Sequence, residues 1–142
     1  MHKILFLSPM PSLADTAQEV AEELGIHLIV ESTDDPGVEQ HILKHPDIEV
    51  VVARGGMAEI AKRVPGISVV EVAMSLNELL GKTSALSAKG NKRIGIVSRS
   101  NLLGGACGNF QIDNTLISIY PQADEKTIQE KVKSLAGEGF TA

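Results

Sequence analysis

Short apolar runs alternate along this chain with segments in which apolar residues recur every three or four positions. The short runs are typical of strands buried in a parallel sheet, and the longer pattern is typical of amphipathic helices. The predicted strands are 4–7, 27–30, 49–53, 68–72, 93–98 and 115–120, with helical patterns at 13–24, 35–45, 57–64, 76–89, 102–110 and 124–136. This alternation predicts an α/β fold of parallel sheets flanked by helices, as in Rossmann and flavodoxin-like proteins.

Polar residues at the predicted helix starts support these boundaries. Ser12 with Asp15 resembles a capping box at the start of the first helix. Ser75 and Glu78 form a second one, and Asp124 is expected to cap the last helix. The pattern therefore predicts helices that begin close to these residues.

The order of the elements predicts two small lobes with a cleft between them. The first α/β lobe is expected to span 1–88, including a connecting helix, and the second to span 89–142. After the helix that ends at Gly137, residues 140–142 have the pattern of a strand that is beginning. An α/β chain should continue from there, so we expect the second lobe to be a partial one, broken off at its C-terminal end.

The composition narrows the class of protein. The net charge of -5 and an aromatic content of 3%, without Trp, argue against a nucleic-acid surface on this chain itself. A single cysteine excludes an intrachain disulfide and a multi-cysteine metal site. No apolar run approaches the roughly 20 residues of a membrane helix, and no signal-peptide pattern is present. We therefore expect a cytoplasmic protein that does not contact a membrane.

Candidate binding residues follow from the rule that open parallel sheets bind ligands at the carboxyl ends of their strands, beside helix N-termini. The residues at those positions are Ser8, Pro9, Arg54, Gly55, Gly56, Met57, Ser75, Arg99 and Asn101. No catalytic residue and no metal ligand is assigned. The first loop lacks the Gly-x-Gly-x-x-Gly pattern of dinucleotide sites, so no cofactor is expected.

The turn Arg54-Gly55-Gly56 is the most informative of these loops. Two glycines let the backbone turn tightly and approach a ligand closely. A helix that begins there supplies N–H donors and a partial positive charge, and the guanidinium of Arg54 suits a carboxylate or a phosphate. The alternative is a tight strand-to-helix turn in which Arg54 lies in solvent or pairs with a local carboxylate.

Other polar residues also allow two interpretations. Asn101 either binds a ligand or caps the helix expected after it. Glu71, in an apolar strand, needs a partner at the hinge or in the Arg54 turn, or else reaches solvent at the strand end. His41 and His45 have the spacing of two metal ligands but no third ligand nearby, and Cys107 fits a core position better than a nucleophile.

Several of these segments resemble the N-terminal domain of propionate catabolism activators. The family shows a strand, an Arg-Gly-Gly-Thr-Ala turn and a Pro-Val-Val-Glu-Ile strand that leads to a Ser-Gly-Tyr-Asp segment. Segments 50–60 and 67–72 resemble that pattern, as do 7–13 and 93–98, so the resemblance covers nearly the whole chain. Met57 stands at the Thr position, and 75–78 reads Ser-Leu-Asn-Glu.

The resemblance implies a function in signal transduction and transcription regulation. It implies two lobes hinged around a cleft, in the manner of periplasmic binding proteins, and a sensor domain of a sigma-54-dependent activator. The best-known member senses methylcitrate. The expected partner is a small anionic metabolite, while DNA and ATP would bind only to other domains of the parent protein; a homo-oligomer is left open.

Two other classes of function are weighed against a sensor. A phosphoacceptor receiver domain needs an acidic pair after the first strand and an Asp after the third, where this chain has Ser8-Pro9 and Arg54-Gly55. An isomerase or lyase of small acids on a two-lobed fold needs a paired acid and base. Cys107 stands alone and no His follows residue 45, so we expect that the chain is not an enzyme.

Overall fold

The computed structural model describes residues 3–142. Its elements are β1 (Ile4–Ser8), α1 (Pro11–Leu24), β2 (Leu28–Ser32), a 3₁₀ turn (Asp35–Gly37), α2 (Val38–Leu43), β3 (Val50–Ala53), α3 (Gly56–Ala61), β4 (Ser68–Glu71), α4 (Leu76–Ala88), β5 (Arg93–Arg99), β6 (Gly108–Ile112), β7 (Thr115–Gln122) and α5 (Glu125–Gly137). The chain divides into two compact units, the first ending at Val72 and the second comprising Ala73–Ala142. Helix α4 therefore belongs with the second unit.

The first unit contains a parallel sheet of four strands in the order β2-β1-β3-β4. The two central strands, β1 and β3, have apolar residues on both faces, which is why they appear in the sequence as short apolar runs. The predicted α/β fold with parallel strands and flanking helices is confirmed, and the strand order is that of flavodoxin-like folds.

Alternate residues of β1 and β3 face two different layers. Leu5, Leu7 and Val51 are buried in the core with residues of α2 and α3. On the other face, Phe6 and Val52 line an apolar groove of about 290 Å³ that runs beside α1. Helix α1 therefore covers only part of its face of the sheet.

The second unit contains a three-stranded mixed sheet in the order β5-β7-β6. Strand β7 is parallel to β5 and antiparallel to β6. Helix α5 packs on β5, where Gly95 leaves room for Leu135 and Phe140. Residues 140–142 do not form a strand, but Thr141 N–H donates to the Arg93 carbonyl at 3.0 Å and Gly95 N–H donates to Ala142 at 2.8 Å.

The helix predicted over 102–110 is wrong. The chain makes a turn at 100–105 and then enters strand β6. Gly104, Gly105 and Gly108 have φ angles of 60°, 77° and 112°, which a right-handed helix does not allow. Cys107 is exposed in this loop, so its predicted core position is also wrong.

Two of the three predicted helix caps are confirmed. The Ser75 hydroxyl accepts from Glu78 N–H at 3.1 Å, and Asp124 accepts from Thr127 N–H at 2.8 Å. The capping box at Ser12 is wrong, because α1 begins earlier, with Met10 at the N-cap and Pro11 as its first residue. Proline suits that position because the backbone N–H of the first helical residue has no partner within the helix, so its absence removes no hydrogen bond. No helix of residues 3–142 is both long and apolar enough to cross a membrane.

Candidate functional site

The carboxyl ends of β1 and β3 lie side by side in the first sheet, which places Ser8-Pro9 and Arg54-Gly55 at the same edge. Ser8 is fully buried; its hydroxyl donates to the Met10 carbonyl at 2.9 Å and accepts from Met10 N–H at 3.1 Å. Pro9 is exposed at the rim. The Ser8 hydroxyl thus shapes the loop, and Pro9 is the part of it that faces outward.

The turn after β3 depends on glycine for its backbone conformation. Gly55 has φ 57° and ψ -130°, a region that is essentially open only to glycine. It is the N-cap of α3, and its carbonyl accepts from Glu59 N–H at 3.3 Å. Gly55 and Gly56 are buried, and Met57 is 2% exposed with its side chain in the core. The turn therefore presents backbone and Arg54 at this edge, while Met57 supports the turn from below.

The carboxylate of Asp35 lies against this turn. A Cβ built on Gly56 would come within 2.3 Å of Asp35 Oδ2, which is shorter than any real contact of that kind. Asp35 opens the 3₁₀ turn, and the neighbouring Asp34 caps that turn by accepting from Gly37 N–H. No sequence pattern indicates that Asp35 reaches α3, since the two segments are about twenty residues apart.

In the second unit, the predicted residues gather at the carboxyl end of β5. Met74 N–H donates to the Leu102 carbonyl at 3.0 Å, which places Ser75 beside the turn that contains Asn101. Arg99, the last residue of β5, donates from Nη1 to the Ala123 carbonyl at 2.9 Å. Asn101 is half-buried in a turn that no helix follows, so its alternative role as a helix cap is wrong.

Glu71 and Asp124 are acidic groups near strand ends, and each has a defined partner. Glu71 Oε2 lies 2.6 Å from Nζ of Lys62, which follows α3, so the carboxylate has a cationic partner near the strand end. Hydrogen bonds from Thr127 lower the pKa of Asp124, and the charge of Arg99 adds a smaller effect. Both carboxylates are thus held by local contacts.

His41 and His45 share one carboxylate, that of Glu31. Oε1 of Glu31 lies 2.7 Å from Nε2 of His45, and Oε2 is hydrogen-bonded to Nδ1 of His41. Hydrogen bonding by His45, and by His41, lowers the pKa of Glu31 although burial raises it. In residues 3–142, no group of three or more His, Cys, Asp or Glu is arranged to hold a metal ion.

The model of a protein family described as propionate catabolism activator matches residues 21–142. The chain belongs to this family, as the N-terminal domain of such an activator. Searches of curated proteins and of solved structures returned no match.

Membership in the propionate catabolism activator family makes the chain a sensory domain and the regulatory part of a larger activator. The matched region includes the Arg54-Gly55-Gly56 turn and both segments of the second unit that carry predicted site residues, Ser75 and 99–101. Only Ser8 and Pro9 precede it. The family thus covers most of the candidate site.

Proposed function

We propose that this propionate catabolism activator domain binds a small carboxylate-bearing metabolite at the Arg54-Gly55-Gly56 turn. Ser8-Pro9 would complete the first lobe's part of the site, Ser75 would contribute from the start of the connecting helix, and Arg99 and Asn101 would supply the second lobe's part. The ligand would lie in a cleft between the lobes, and closure of the lobes would signal to the rest of the activator. The lobe boundary near residue 88 is part of this proposal.

The observation that carries the proposal is the construction of the turn. An arginine directly after a parallel strand, with a buried Gly55 in a glycine-only conformation, gives a guanidinium and close-lying backbone at the edge where α/β sheets bind ligands. Guanidinium binds a carboxylate through two parallel hydrogen bonds. Such a turn supports recognition of an anion.

The Asp35 carboxylate limits which anionic ligands this turn would bind. Its carboxylate lies against Gly56, so an acidic group lies at the same turn that carries Arg54. A ligand with several carboxylates would be repelled by Asp35, whereas a hydroxyl group next to a carboxylate could donate to it. We therefore favour a mono- or dicarboxylate with a hydroxyl group over a tricarboxylate.

Signalling by closure requires that the ligand bind the closed form more tightly than the open one. A ligand with equal affinity for both forms shifts nothing, however tightly it binds. Arg99 and Asn101 would supply this difference if they reach the ligand only after closure. We further propose that the protein is cytoplasmic and has neither enzymatic activity nor a cofactor. The parent activator would bind DNA and ATP through its other domains.

Isothermal titration calorimetry tests the proposal with a panel of small mono-, di-, tri- and hydroxycarboxylates. We expect Arg54→Ala to weaken binding by about tenfold to a hundredfold, the loss of one charge-assisted pair. Arg63→Ala is the matched control, because Arg63 is an exposed arginine of the same unit beyond α3. Equal affinity of Arg54→Ala and the unmutated chain would exclude a role of Arg54 in ligand binding. If no compound of the panel binds the unmutated chain, small carboxylates are excluded as ligands.

A further inference from the structure

Glu31 connects strand β2 to the far end of α2. Its two carboxylate oxygens are hydrogen-bonded to different histidines, Oε2 to Nδ1 of His41 and Oε1 to Nε2 of His45. The three side chains are between 19% and 24% exposed, so solvent screens the cluster only in part. One carboxylate on the sheet thus holds both the helix and the residue that follows its C-cap.

Helix α2 depends on such contacts. It has six residues, far below the roughly 12 to 15 at which an isolated helix becomes even marginally stable in water. Val38 and Ile42 anchor one side in the core, while Leu43 is 73% exposed. His41 lies in the last turn of α2 and His45 directly after its C-cap, so Glu31 restrains the C-terminal end of the helix.

Several other charged groups near this cluster form contacts outside it. Lys3 pairs with Asp47, whose carboxylate also feels the charge of His45, and Asp34 caps the 3₁₀ turn. On β1, the register partner of Glu31 is Leu7, an apolar residue. Further charged groups of the described segments next to the cluster are Asp35, Glu39 and Lys44, together with Glu59, Lys62 and Arg63 on and just after α3, which packs against α2. His41 and His45 are therefore titratable groups that contact Glu31 directly.

We propose that Glu31, His41 and His45 form a proton-sensitive clamp that holds α2 on β2 more tightly when the histidines are protonated. Imidazole is the side chain that ordinarily changes charge between pH 5 and 8. When neutral, each ring can donate from one nitrogen only, which must be Nδ1 in His41 and Nε2 in His45. Because the Glu31 carboxylate is charged, both hydrogen bonds are already charge-assisted with neutral rings, and protonation removes the restriction and turns each of them into an ion pair.

The clamp has a route to the candidate ligand turn. The 3₁₀ turn that begins at Asp35 continues directly into α2, and Asp35 lies against Gly56. Holding α2 more tightly therefore restrains the Asp35 carboxylate at the turn. An effect of pH on ligand binding rests on the proposed function, whereas the clamp itself does not.

Amide hydrogen exchange of Val38–Leu43 in the full chain, followed by NMR, tests the clamp. After correction for intrinsic exchange, we expect about fivefold to tenfold higher protection at about pH 5.5 than at about pH 7.5. Glu31→Gln should abolish this difference. His27→Gln is the matched control, because His27 is exposed in the same unit and should leave the difference unchanged.

A second variant keeps the test decisive if Glu31→Gln fails to fold. In the double variant His41→Asn and His45→Gln, the amide nitrogens replace Nδ1 and Nε2 as donors but do not titrate. Protection of α2 should then be retained and should be the same at both pH values. Equal protection of the unmutated α2 at both pH values, or a pH dependence that survives in the double variant, would overturn the clamp.

Discussion

The carboxylate of Asp35 lies where a side chain on Gly56 would have to be, with Oδ2 at 2.3 Å from the position of a Cβ. Gly56→Ala should therefore displace Asp35 and destabilise the fold by about 1–3 kcal/mol, the usual cost of overpacking a tight site. Urea denaturation would measure the loss. Combining Gly56→Ala with Asp35→Ala should recover part of it, and strictly additive effects would show that the two residues are not coupled.

Gly81→Ala is the matched comparison for that change. Gly81 lies inside α4 with nothing within 4 Å of an added Cβ, and its φ is not positive. Alanine there should stabilise the protein by about 0.5–1 kcal/mol, because glycine loses more backbone entropy in a helix. A destabilised Gly81→Ala protein would contradict the helix assignment at this position.

Gly55→Ala should be costly for a different reason. Its φ of 57° with ψ of -130° strains any residue with a Cβ, and strain of this kind costs about 1–3 kcal/mol. We expect a lower midpoint of thermal unfolding together with weaker ligand binding, since the backbone N–H groups of the turn would move. Unchanged stability would mean that the turn can adopt another conformation.

Ser75→Ala should destabilise the second unit by about 1 kcal/mol, the typical value of a capping box. The hydroxyl accepts from Glu78 N–H at 3.1 Å, and the Glu78 carboxylate accepts from Ser75 N–H at 3.0 Å. Ser84, an exposed serine of the same helix, is the matched control, and Ser84→Ala should change little. Guanidinium denaturation followed by circular dichroism distinguishes the two variants.

The dependence of stability on pH should show the contribution of Glu31. Its pKa is lowered in the folded protein from the ordinary value of 4.5, chiefly by the hydrogen bond with His45. Because the unfolded chain binds the proton more readily, the stabilisation is present above that value and is lost as the pH falls through the lowered pKa. Glu31→Gln should flatten the acid limb of a urea-midpoint titration, and an unchanged acid limb would contradict this.

Tyr120 offers a natural probe of the second unit, since it is the sole tyrosine and the chain has no Trp. Its ring lies edge-on to Phe140 with centroids 6.2 Å apart, and Nζ of Lys131 lies 4.2 Å from its centre. Phe140→Leu should change the tyrosine fluorescence and lower the unfolding midpoint, while Phe110→Leu serves as the control. A spectrum unaffected by Phe140→Leu would mean that the ring pair does not persist in solution.

The fold was predictable where local patterns decide it. Apolar runs with helical stripes between them gave the parallel sheet, and local cap chemistry gave the starts of α4 and α5. The segment 102–110 failed because its apolar residues have helical spacing, while three glycines with positive φ impose a turn and a strand. Glycine conformation is set by tertiary context and leaves no periodic signal.

The candidate site was predictable in part for the same reason. Strand ends indicated the positions of Ser8 and Arg54, since a parallel sheet places all its carboxyl ends at one edge. Contacts between segments distant in the chain, such as Asp35 with Gly56 or Glu31 with the two histidines, follow from packing and not from spacing. The assignment of the site residues to a ligand remains a prediction.

The two adjacent glycines of the turn have consequences for how this sequence can diverge. Gly55 is constrained by its own backbone angles, so substitution there is barred whatever its neighbours are. Gly56 is constrained only by the side chain of Asp35, so a smaller residue at position 35 would free position 56 to change. Among descendants of this sequence, position 55 should stay invariant while positions 35 and 56 covary.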